Sequence, residues 1–242
     1  MEGDAGLSES VAREVRACAS EPEPMDSQKE SPGPRRSSPG KKVWQQRLAL
    51  LAALMAGAML AFQWDLPVAR WVHAHRALGI VREFFEAAEY YGQAFGTLLI
   101  IVTVGVLDPA KKRLLPWLLA ASLGAGLTAD VAKQLIERQR PRELDLANVE
   151  VTTTIRSVLP FLEGKVASHS FPSGHTATAF GLTVALSTLY RRGKTWFVIL
   201  ACLVGVQRVQ SLSHFPSDVL AGAAIGLLVG WLITDSKLKD AC

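Results

Sequence analysis

Three short clusters in the second half of the chain carry residue types that can handle a phosphate ester. They are Lys133 with Arg140 and Pro141, the run Pro172-Ser173-Gly174-His175, and Arg208 with His214 and Asp218. An arginine presents a planar fork to two phosphate oxygens, and a lysine acts as a point charge. A helix that opens on Ser-Gly offers unpaired amides and the positive end of its dipole to an anion. His175, in that first turn, can protonate a leaving oxygen. His214 and Asp218 are four apart, so on a helix they share a face. A carboxylate bonded to one imidazole nitrogen fixes the tautomer and leaves the other nitrogen free to attack phosphorus. Only that spacing favours His214 over His175 as the nucleophile.

Each cluster also has a plainer reading. Lys133 can snorkel to the headgroups while the arginines bind them nonspecifically. Ser173 can simply cap a helix beside an incidental histidine, and His214 and Asp218 can form a structural pair. Arg208 argues against the last, because it supplies charge for a phosphoryl group. Two histidines and an aspartate can also hold zinc or iron. The cations Lys133, Arg140 and Arg208 would repel such an ion, whereas they suit a phosphate, so no metal and no cofactor are expected. No GxSxG nucleophile elbow is present.

These residues sit at the edges of apolar blocks, where charged groups are costly to hold. About half of the 242 residues are apolar, and they come in runs rather than at amphipathic spacing. Six spans are expected: about Leu48–Trp64, Gln93–Leu107, Leu114–Leu135, Ser173–Tyr190, Trp196–Val209 and Ser217–Thr234. The fold class is therefore all-α, an integral membrane bundle of six transmembrane helices over residues 43–242. Residues 1–42, rich in Glu, Ser, Pro and Arg, form a disordered tail that lacks the apolar surface to fold. The first apolar segment begins only near residue 47, so it reads as a retained helix, not a cleaved signal. Cys18, Cys202 and Cys242 make no disulfide framework. The net charge of +4, without a basic patch interleaved with aromatics, gives no sign of a nucleic-acid partner.

Loop charge sets the expected orientation. Lys41, Lys42 and Arg47, then Lys111, Lys112 and Arg113, then Arg191, Arg192 and Lys194, then Lys237 and Lys239 all fall on one side of a six-span chain. The positive-inside rule makes that side the cytoplasm, with both termini there and all three clusters on the opposite face. Between the first two spans, Asp65 can cap a helix with Pro67 in its first turn, and Val68, Trp71 and Val72 recur at helical spacing. A structural connector is the preferred reading of that helix. Gly222, Gly226 and Gly230 put a smooth stripe on the last span for close packing. Asp130 is expected to pair with Lys133, three residues on. Arg138, Arg142 and His169 lie near the site and can bind a second phosphate or a headgroup, or be ordinary loop residues. The stretch from Glu143 to Ser170 is long enough to shape a substrate entrance.

The pattern K-x6-R-P (Lys133 to Pro141), P-S-G-H (Pro172 to His175) and R-x5-H-x3-D (Arg208 to Asp218) resembles the type 2 phosphatidic acid phosphatases. The resemblance covers roughly residues 48 to 234, with Gln207 standing where that family usually has Ser. It implies that His214 is a nucleophile forming a phosphohistidine, that Asp218 orients it, and that His175 protonates the leaving group. It also implies that Lys133, Arg140, Ser173, Gly174 and Arg208 hold the phosphoryl oxygens, without a metal. The expected function is hydrolysis of a lipid phosphate or diphosphate at the extracytoplasmic or lumenal face, with membrane lipids as the other partners. A catalytically silent phospholipid-binding protein, a sugar-phosphate phosphatase, a haloperoxidase and a transporter are the competing readings. The binding protein would be expected to have lost His214, His175 or Asp218, and a transporter would show internal repeats. Substrate headgroup and oligomeric state are not legible.

Overall fold

The structure, a computed structural model, describes residues 40–75, 77, 79–159 and 169–238. Its helices are α1 (Lys41–Phe62), α2 (Asp65–Ala74), α3 (Ile80–Glu89), α4 (Ala94–Leu107), α5 (Leu115–Ala132), α6 (Gly174–Leu189), α7 (Lys194–Gln210) and α8 (Pro216–Ile233). A helix already begins at Lys41, and residues 1–39 of the expected tail lie outside the described residues. The six expected spans correspond to α1, α4, α5, α6, α7 and α8. To the all-α expectation the fold adds one antiparallel hairpin, β1 (Ile136–Arg138) with β2 (Ile155–Val158).

Among the described residues, three helical stretches are long and apolar enough to cross a bilayer alone: Lys41–Phe62, Pro109–Ala132 and Pro216–Ser236. The pair α3 and α4, bent by 69° at its break, passes together and counts as a fourth if it forms one span. At sixteen and seventeen residues, α6 and α7 are too short to pass alone. α6 packs against α5, α7 and α8 and buries ten of its sixteen residues, among them Thr176, Thr178 and Thr183. A helix enclosed by protein needs little lipid-facing hydrophobicity. α7 ends on the buried polar pair Gln207 and Arg208. Lipid-facing positions elsewhere are apolar and exposed, as at Met59, Leu99, Val106, Leu127 and Leu232.

The glycine stripe of α8 faces α6. A Cβ on Gly222 would collide with the Ser173 carbonyl, one on Gly226 with the Ala177 carbonyl, and one on Gly230 with Val184. Absent side chains thus let the start of α8 lie directly on the start of α6, which brings two of the clusters together.

One end of the bundle is capped by α2, the hairpin and the turn before α8. Leu66, Ala69, Val72, Leu146, Leu212 and Phe215 form a buried cluster there. The helix expected after Asp65 packs its inner face into this cluster, while Trp71 stays exposed. At the other end Arg47 of α1 pairs with Asp235 and lies over the rings of Trp44 and Trp231. Lys111 pairs there with Asp108 and lies over Tyr190.

Candidate active site

All three clusters meet at the capped end. Lys133 closes α5 as its C-cap, and its Nζ donates to Asp130 Oδ1 at 2.7 Å, the pairing expected from their spacing. A Cβ on Gly174 would sit 3.4 Å from Lys133 Nζ, so the end of α5 abuts the start of α6. Ser173 is the N-cap of α6, with Oγ accepting from the Thr176 amide at 3.5 Å and pairing with Thr176 Oγ1 at 2.9 Å. Its hydroxyl is thus engaged by the cap. Among the described residues the amides of Gly174 and His175 have no backbone acceptor, as expected for a first turn that can face an anion.

His214 lies in a tight turn fixed by its own amide and that of Ser213, both donating to the Arg208 carbonyl. Its ring is buried, and Nδ1 lies 2.6 Å from the backbone carbonyl of Ser170. A carbonyl only accepts, so Nδ1 carries the hydrogen and the neutral ring holds its lone pair at Nε2. This corrects the expected direct bond to Asp218, whose Oδ2 is 3.8 Å from Nδ1. The carboxylate is already committed: Oδ2 accepts from Ser170 Oγ at 2.6 Å and the Phe215 amide at 2.8 Å, and Oδ1 from Arg138 at 2.5 Å. Asp218 therefore holds Ser170, the residue that holds His214, and acts on the ring as a nearby charge. Burial pushes the His214 imidazole below the ordinary histidine value, with Asp218 and Ser170 opposing.

Arg138 is not a phosphate ligand. It is 1% exposed and lies between the rings of Phe62 and Phe215. Its guanidinium donates to Asp218, to Asp65 Oδ2 at 2.6 Å and to Ser217 Oγ at 2.7 Å. Asp65 in turn does not cap its own helix. Its Oδ1 accepts from the Ser217 amide at 3.1 Å, covering an orphan donor at the start of α8. Burial pushes the Asp65 carboxyl up, against the pull of Arg138 and Ser217.

Arg208 and His175 face a residue that the sequence did not single out. Glu89, at the end of α3, pairs with Arg208 Nη2, accepts from Gln207 Nε2 at 2.8 Å, and places Oε1 3.6 Å from His175 Nε2. Gln207 also accepts from Arg208 Nε at 2.6 Å. The signal available was a carboxylate at the edge of an apolar span, four residues before Gln93. Arg140 follows β1, half-buried, with Nε unpartnered among the described residues. Arg142 is exposed and within electrostatic reach of Arg208. His169 is half-buried, with Nδ1 unpartnered among the described residues. The loop expected to shape the entrance is described only in part, since residues 160–168 lie outside the described residues. Among the described residues, no three His, Cys, Asp or Glu side chains converge on a common metal position.

The PAP2 superfamily pattern matches residues 114–240. The chain is similar to a lipid A 1-phosphatase of Rhizobium etli, at 29% identity over 78% of this chain and 81% of that one. Its fold is similar to the crystal structure of a transmembrane PAP2-type phosphatidylglycerolphosphate phosphatase from Bacillus subtilis. That likeness has a TM-score of 0.56 and 25% identity, over 82% of this chain and 95% of the other. Aquifex aeolicus LpxE shares the fold at a TM-score of 0.52 and 22% identity, over 70% of this chain and 93% of the other.

Proposed function

Because the chain belongs to the PAP2 superfamily and is thereby an integral-membrane phosphatase of lipid phosphates, we propose that it cleaves its substrate through a phosphohistidine on His214, without a metal. The observation that carries this reading is the Nδ1 contact of His214 with the Ser170 carbonyl, which presents an unprotonated Nε2.

Nε2 attacks phosphorus, the bond from phosphorus to the lipid oxygen breaks, and His175 gives its proton to that oxygen. Water then attacks the phosphohistidine, neutral His175 accepts a proton from it, and phosphate leaves with His214 restored. Lys133, Arg140, Arg208 and the amides of Gly174 and His175 stabilise the charge that gathers on the phosphoryl oxygens. Ser173 contributes by capping the helix that carries those amides.

The positive-inside rule places Arg47, Lys111 and Arg191 on the cytoplasmic side. Arg47 and Lys111 lie at the end of the bundle away from the capped end, which supports a site that opens on the extracytoplasmic or lumenal face. The test is phosphate release by detergent-purified protein in excess EDTA, from phosphatidic acid, phosphatidylglycerol phosphate, a polyprenyl monophosphate and diphosphate, and a sugar phosphate. Release from a lipid that survives EDTA supports the reading. Folded protein that releases phosphate from none of them overturns it, and release from the sugar phosphate alone supports the sugar-phosphate alternative.

A further inference from the structure

We infer that Glu89 sets the charge capacity of the phosphate cradle and so favours lipid phosphomonoesters over diphosphates. The inference rests on the phosphatase reading above and narrows its substrate class.

Glu89 is held in the cradle by construction. α3 buries none of its residues, so packing within the bundle does not require a carboxylate at its end. The turn after it lies directly on the catalytic helix: a Cβ on Gly92 would collide with the His175 carbonyl and with Val204. Only a residue without a side chain permits that approach, and the approach delivers Glu89 to Arg208 and His175. Gln207 completes the hold. Its side chain is buried, donates to Glu89 and accepts from Arg208, joining the two in a closed ring of bonds. A serine at position 207 would be too short to bridge them.

The consequence is a matter of charge. Lys133, Arg140 and Arg208 supply three positive charges, and Asp130 and Glu89, paired with Lys133 and Arg208, offset two of them. A phosphate monoester brings about −1.5 to −2 at neutral pH, so the cradle, with Glu89 on Arg208, has no positive charge to spare. A diphosphate brings roughly one negative charge more, and with the Glu89 carboxylate already bonded to Arg208 that charge finds no partner in the cradle. At these separations one unmatched charge in a partly desolvated site is worth about tenfold or more in relative rate.

The experiment compares kcat/KM for a polyprenyl monophosphate and the diphosphate of the same tail, in wild type, Glu89→Gln, Glu89→Asp and Gln207→Ser. Wild type is expected to favour the monophosphate. Glu89→Gln should move the ratio toward the diphosphate by about tenfold, Glu89→Asp should keep the wild-type preference, and Gln207→Ser should move the ratio the same way by less. Where Glu89→Gln turns over too slowly, the relative affinities of inorganic phosphate and pyrophosphate, read by thermal shift, report the same change. An unchanged ratio in Glu89→Gln, or a wild type that favours the diphosphate, overturns the inference and leaves the phosphatase reading standing. A wild type that hydrolyses neither lipid, on the full panel as well, overturns the phosphatase reading and this inference with it.

Discussion

Arg138 donates to Asp218 Oδ1 at 2.5 Å while its other terminal nitrogen reaches Asp65, so one buried guanidinium joins the connector helix α2 to the first turn of α8. Two carboxylates without exposure, matched by one arginine and closed by Ser217, are a fully bonded network in a dry site. Such a network stabilises only when complete, because losing one member strands buried charge.

Replacing Arg138 by Met should cost about 3–5 kcal/mol of stability, since Asp65 and Asp218 would be left uncompensated. Arg138→Lys should not restore it, because a point charge cannot bridge two carboxylates and Ser217 at once. Thermal unfolding in detergent checks both. A lysine variant with wild-type stability would show that geometry at Arg138 is unimportant.

Gly222→Ala should separate the start of α8 from the Ser173 carbonyl. Overpacking of this kind costs about 1–3 kcal/mol, and the shift acts where Asp218 and the cap of α6 meet. The expected result is folded protein with activity reduced by about tenfold or more, since misplacement near 1 Å can cost up to a hundredfold. Unchanged turnover would mean that the close approach is dispensable.

The acid limb of the pH profile follows from His214, which lies outside the membrane-spanning helices. Burial holds its imidazole below the ordinary value of 6.5, so the ring is neutral and nucleophilic at pH 7. Protonation, and loss of the nucleophile, comes only as pH falls through that lowered value. kcat/KM should therefore hold on the acid side past pH 6.5 before it falls. An acid limb centred above 6.5 would contradict a desolvated His214.

Much of this arrangement was legible in the sequence because it is carried by local signals. Apolar blocks marked the six bundle helices, Ser173 marked a helix start, and the glycine spacing of α8 marked a packing face. Asp130 and Lys133 paired as their spacing implied. The parts that were not legible depend on groups distant in sequence. Asp65 has the form of an N-cap for its own helix, but burial beside Arg138 and Ser217 gives it a stronger set of partners across the fold. The His214–Asp218 spacing is real, yet the carboxylate is used by Arg138, Ser170 and Phe215, and a backbone carbonyl takes the ring nitrogen. No periodicity announces that choice. Glu89 reaches Arg208 across more than a hundred residues, brought there by the turn at Gly92.

The most direct test of the account is an acid-free quench of enzyme mixed with a lipid phosphate labelled in its phosphoryl group, followed by peptide mapping of the protein-bound label. An acid-labile, base-stable phosphohistidine is expected at His214, formed in excess EDTA and absent from His214→Ala, whose turnover should fall by about a thousandfold or more. Label on His175 instead, or full turnover by His214→Ala, would contradict it.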